Sequence, residues 1–83
     1  MKAVYFAWVR ERIGLAEEEL SLPENVKTVA ELVDWLVSRG EGYALAFENR
    51  QSIRAAVDKR HATAHSLIAS AQEIAFFPPM TGG

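Results

Sequence analysis

Apolar residues between positions 28 and 40 recur with a helical period. Val29, Leu32, Val33, Leu36 and Val37 stand at i, i+3, i+4, i+7 and i+8, which predicts one amphipathic helix. Thr28 and Glu31 have the spacing of a capping box, so their side chains can satisfy the exposed amides of the first turn. Arg39 lies in the last turn, and Gly40 is the expected C′ residue. Trp35 stands off the stripe and reads as a flank contact. Elsewhere the period is two. Residues 2–9 predict a strand rich in aromatic and β-branched side chains. Arg10 to Gly14 predicts a short helical turn closed by glycine. Glu18 to Leu22 then predicts a second strand, paired back on the first and stopped at Pro23. Glu41 to Phe47 fits either a short second helix or a packed loop, and Glu48 to Gln51 is a polar turn. A strand over 53–57, a turn at Asp58-Lys59-Arg60 and a weak strand from His61 to His65 come next. Leu67-Ile68 is an apolar plug, Ser70-Ala71-Gln72 a turn, and Glu73 to Phe77 the last strand.

This order, with one long helix, predicts an α+β domain: a mixed sheet with the helix packed across one face. The helix supplies the crossover that lets the first and last strands lie parallel at the centre. The arrangement is the β-grasp, and it resembles ubiquitin. Residues 1–79 would form the domain and 80–83 a flexible tail. Alternation places Ala3, Tyr5, Ala7 and Val9 on one face of the first strand and Lys2, Val4, Phe6 and Trp8 on the other. Both sets are too apolar for a sheet with one wet side. Lys2 marks the outer face, so Val4, Phe6 and Trp8 are expected outside. Ile74 and Phe76 then point inward, leaving Phe77 outside beside Phe6. Such an exposed apolar patch would serve as a docking surface, with Arg10 at its rim. The alternative is that the 41–47 segment covers this face.

Composition narrows the function. Eighty-three residues make one domain, and 49% apolar residues are enough for a core. A net charge of −2 gives no basic stripe for nucleic acid. No cysteine is present, which excludes disulfides, thiolate metal sites and a Cys nucleophile. No signal peptide or membrane span is legible, so a cytoplasmic setting is expected. His61 and His65 are four apart but lie in a strand-like stretch without carboxylate or Cys companions, so no metal site is expected. Glu17-Glu18-Glu19 reads as a solvated strand entry.

The candidate chemistry lies in the last residues, Gly82-Gly83. A chain that terminates there carries its α-carboxylate on the least hindered residue, and two glycines can thread a narrow groove. A diglycine alone reads more readily as a frayed end. Its setting is more specific, because Phe76-Phe77-Pro78-Pro79-Met80-Thr81 leads straight into it.

Together with Phe6 to Glu11 and the central helix, the stretch from Glu73 to Gly83 resembles the small, sulfur-carrying subunits of molybdopterin synthases. The resemblance covers essentially the whole chain. It implies that an ATP-using adenylating enzyme, related to ubiquitin activators, converts the Gly83 carboxylate to an acyl-adenylate. A sulfur donor then leaves a thiocarboxylate, which donates sulfur to a cyclic pyranopterin precursor of the molybdenum-binding dithiolene. It also implies a heterotetramer of two small and two large subunits. Gly82 would provide clearance, while Phe6, Arg10, Phe77, Pro78, Pro79, Met80 and Thr81 would meet the partners. No cofactor is bound by the chain, and no catalytic side chain is implied beyond the tail itself. The sequence departs from the pattern at two turns: Ser70-Ala71-Gln72 replaces a common Asp-Gly-Asp, and Asp58-Lys59 a more usual Asn. A sulfur carrier for another pathway such as thiamine synthesis, a ubiquitin-like protein modifier, and a plain interaction module are the alternatives.

Overall fold

The computed structural model describes residues 1–79. Five strands form one mixed sheet: β1 (Lys2–Tyr5), β2 (Glu17–Glu19), β3 (Arg54–Val57), β4 (Arg60–Ala62) and β5 (Glu73–Phe77), in the order β2-β1-β5-β3-β4. Only β1 and β5 run parallel, with Tyr5 opposite Phe76; the other three pairings are antiparallel. This is the β-grasp, with the parallel pair flanked on both sides. Helices α1 (Ala7–Ile13), α2 (Val29–Val37) and α3 (Glu41–Ala46) complete it. Among the described residues no helix is long and apolar enough to cross a membrane.

Helix α2 begins as its sequence dictates. The Glu31 amide donates to Thr28 Oγ1 at 3.2 Å, and the Thr28 amide donates to Glu31 Oε1 at 3.1 Å. The amides of Val29 and Ala30 donate to the carbonyls of Ser66 and Ala64, so tertiary contacts finish the cap. Val29, Leu32, Val33 and Leu36 are buried against the sheet's inner face, where Ala3, Tyr5, Ala55, Ile74 and Phe76 also lie. Trp35 is half-buried at the flank, with the Arg39 guanidinium 5.1 Å from its ring centroid. Ile68 plugs the core, but Leu67 is 74% exposed.

Several expected elements change, and the second strand covers Glu17–Glu19 rather than residues 18–22. The first strand stops at Tyr5 rather than continuing to residue 9. The Tyr5 amide donates to Ala16 and the Phe6 amide to Phe76, and no further ladder partner follows. The chain turns through Ala7, whose φ of 50° is left-handed, into α1, which ends on Gly14 at φ 90°. Strand propensity yields here because Val9 is buried from a helix and Ile13 packs one turn later. Gly40 is likewise not a left-handed cap. Helix α2 ends at Ser38 in right-handed conformation, while Gly40 is extended and accepts from the Ala44 amide as α3 begins. Gly42 has a different duty: a Cβ there would lie 2.9 Å from the Arg12 carbonyl, so glycine lets α3 approach α1. The strand expected from His61 to His65 is instead Arg60–Ala62, which takes Arg60 out of the turn and leaves His65 outside the sheet.

The Asp58-Lys59 turn joins β3 to β4 with both residues left-handed, at φ 47° and 69°. Asp58 Oδ1 accepts from the amides of Gln72 and Glu73, which ties the Asp58-Lys59 turn to the turn at Ser70-Ala71-Gln72. Lys59 is exposed. Replacing it with glycine removes left-handed strain, and Lys59→Gly should stabilise the fold by about 0.5–1 kcal/mol, measured by urea unfolding.

Candidate functional site

Because β1 and β5 are parallel, Tyr5 and Phe77 finish at the same end of the sheet. The segment toward the diglycine leaves from there through Pro78 and Pro79, both half-buried. The hydrogen bond from the Phe6 amide to the Phe76 carbonyl, 3.1 Å, fixes the start of α1 to this exit. Phe6 is 49% exposed but lies past the end of β1, at the N-cap of α1 rather than on a strand face, and Phe77 is half-buried. Trp8 is a correction. It belongs to α1, where the Arg12 guanidinium lies 4.6 Å from its ring centroid, and so does not extend the sheet's outer face. Arg10 is exposed on the same helix. The expected site residues Met80, Thr81, Gly82 and Gly83 lie outside the described residues.

The sheet's outer face carries Val4, Ala75 and Ala56 in one cross-strand row, with His61 at its β4 end. Arg54 stands directly opposite Phe77, and the His61 ring meets Phe77 edge-on at 6.4 Å. Both residues sit at the expected docking surface, where the sequence alone did not place them. The β3–β5 register brings Arg54 there, and the β3–β4 register brings His61. The 41–47 segment does not cover this face: α3 packs with α1 and α2, and Phe47 meets Phe76 edge-on from the inner side. Among the described residues no group of three or more His, Asp or Glu could hold a metal ion.

A second polar cluster lies away from the exit. Glu18, whose side chain is 13% exposed, accepts from Tyr5 Oη at 2.8 Å, from Tyr43 Oη at 2.6 Å and from Arg39 at 3.1 Å. It locks β2 to the inner face and to α3. Burial alone would raise its carboxyl, but the hydrogen bonds from Tyr43, Tyr5 and Arg39 outweigh that and hold it below its ordinary value. Burial, and then the same carboxylate, pushes both tyrosine hydroxyls up. Three consecutive glutamates look alike in the sequence. Only the middle one faces the core, because strand alternation turns it inward.

Known proteins resemble this chain throughout. Molybdopterin synthase sulfur carrier subunits of Haemophilus influenzae and Escherichia coli are 31% and 32% identical over 83 residues, covering 100% of this chain and 99% of each relative. The crystal structure of small archaeal modifier protein 1 from Haloferax volcanii superposes with a TM-score of 0.72 at 25% identity, covering 96% of this chain and 97% of that one. Residues 3–83 match the ThiS family. With its β-grasp sheet and a surface patch built around the root of a diglycine tail, the chain belongs to the ThiS family.

Proposed function

We propose that this chain is the sulfur-carrying subunit of a molybdopterin synthase. The 31% and 32% identity to subunits of that name, over all 83 residues of this chain, carries the proposal. A carboxylate is a poor electrophile because of its charge and resonance. Its oxygen attacks the α-phosphorus of ATP in the adenylating enzyme, and pyrophosphate leaves. Sulfur at the sulfide level, brought by a donor, attacks the acyl carbon and expels AMP, which leaves a thiocarboxylate. That sulfur attacks an oxygen-bearing carbon of the pterin precursor in the large subunit, the C–O bond breaks and the oxygen leaves with its electron pair, and water then cleaves the acyl–sulfur bond, which leaves sulfur on the precursor and restores the Gly83 carboxylate. We place these steps in the cytoplasm, with two small and two large subunits in the working synthase. The small chain supplies reach and docking. Confinement in the large subunit supplies the positioning that accelerates such a transfer.

The outer face around Phe77 and Phe6 would bind both the large subunit and the activating enzyme in turn, since both receive the same tail. Phe77→Asp places a charge in the middle of that contact, and nothing in the core depends on its ring. It should keep a cooperative thermal transition while weakening both associations at least about tenfold, read by calorimetric titration. Normal affinity for both partners would show that docking occurs elsewhere.

Protein modification is the competing function, favoured by the likeness to small archaeal modifier protein 1. The intact mass of the chain from its native cell separates the two. Exchange of one oxygen for sulfur at Gly83 supports the carrier, and a ladder of larger covalent adducts supports the modifier.

A further inference from the structure

Resting on the docking face proposed above, we infer that the tail's receptor presents a carboxylate to Arg54, beside the apolar site that takes Phe77. Arg54 and Phe77 are a directly opposed antiparallel pair, so their side chains leave the same face next to each other. The Arg54 guanidinium donates to the Gln51 carbonyl at 3.0 Å, which positions it and leaves other N–H groups for a partner. Among the described residues it forms no ion pair, unlike Arg12, Arg39 and Arg50.

The rest of the face does not cancel this charge. At the far end of the strands Lys2 pairs with Glu17 at 3.1 Å, Glu19 meets the N-terminal ammonium at 3.6 Å, and Glu73, opposite Lys2, stands four residues along β5 from Phe77, about 13 Å from the Arg54 end. The centre is Val4, Ala75 and Ala56, small and apolar, and the His61 ring closes over one edge of Phe77. A chain with net charge −2 therefore shows an uncompensated cation where its reactive tail departs. One guanidinium set among apolar side chains suits a carboxylate on a protein surface, which it can grip through two parallel hydrogen bonds. A phosphate backbone would call for a row of cations. The ion pair on β3 would fix the rotation of the sheet on its receptor, and so the direction from which the tail enters.

Association of the full chain with its cognate large subunit, measured at several ionic strengths, tests this. The variants are Arg54→Glu, Arg54→Gln, Arg60→Glu and Phe77→Asp. Arg60 carries the same charge but pairs with Val57 on the other face, so it controls for net charge. Arg54→Glu should slow association about tenfold at low salt, with the deficit shrinking as salt rises. Arg54→Gln should fall between it and the natural chain, and Arg60→Glu should change the rate by less than about twofold. If Arg54→Glu matches Arg60→Glu while Phe77→Asp still blocks binding, the carboxylate contact is wrong and the docking face stands. Should Phe77→Asp also bind normally, both fall together.

Discussion

A chain lacking Gly83 should fold, dock on both partners and transfer no sulfur. The core runs from Ala3 to Phe76, so its packing does not draw on the last residues. From Pro79, the four residues to Gly83 span at most about 13–14 Å, at roughly 3.3–3.6 Å each. Pro78 and Pro79 resist folding back, so most of that span serves as reach. Deleting one residue withdraws the carboxylate by roughly 3.5 Å. That equals a whole near-attack distance of about 3–3.5 Å, and loss of this alignment removes most of the rate. Gly82→Val keeps the length but adds a β-branched side chain where bare backbone must pass, and it should fail as well. Adenylation, thiocarboxylate formation and pterin product, measured separately for each variant, locate the block. Full activity without Gly83 would end the claim that its carboxylate carries the sulfur.

Removing the Glu18 side chain should have the largest effect on stability. Glu18→Ala leaves the Tyr5 hydroxyl without its acceptor in a residue 1% exposed, and frees Tyr43 and Arg39 as well. A buried donor stripped of a charged acceptor costs about 3 kcal/mol. For a domain of this size that is a fall of roughly 12–24 °C in Tm. The dependence on pH has a definite sign. Because the folded carboxyl titrates below its ordinary value of 4.5, its contribution is complete above that pH and is lost as pH falls through the folded value. The raised tyrosines act in the opposite direction. Their contribution is complete below the ordinary value of 10.0 and is lost as pH rises above it. Glu18→Gln keeps an acceptor for the hydroxyls but removes the titrating group. Its Tm at neutral pH should lie between those of the natural chain and Glu18→Ala, and it should lose less stability on acidification than the natural chain. An unchanged acid profile would mean that the acid transition belongs to other carboxylates.

Helix α2 and strand β5 were legible because their signals are local. The Thr28–Glu31 box and the Val29-to-Leu36 stripe are contained within nine residues, and Glu73–Phe77 begins and ends where its own turn residues place it. Strand alternation also sorted Tyr5, Ile74 and Phe76 inward and Phe77 outward, since a period of two needs no knowledge of the partner strand. The diglycine and its Phe-Phe-Pro-Pro approach were likewise plain in the sequence. Tertiary structure decided where β1 stops. Phe6 to Val9 favours a strand by composition, yet it bends into α1 once the ladder offers no further partner and Val9 can be buried from a helix. It also decided which of three adjacent glutamates closes the Tyr5–Tyr43–Arg39 cluster, and that Arg54 and His61 join Phe77 at the tail's root. These outcomes depend on register between residues up to 25 apart: Ala3 and Glu18 are separated by 15, Arg54 and Phe77 by 23, and Glu18 and Tyr43 by 25. Register is set by the packing of the whole sheet and leaves no periodic mark in the strands themselves.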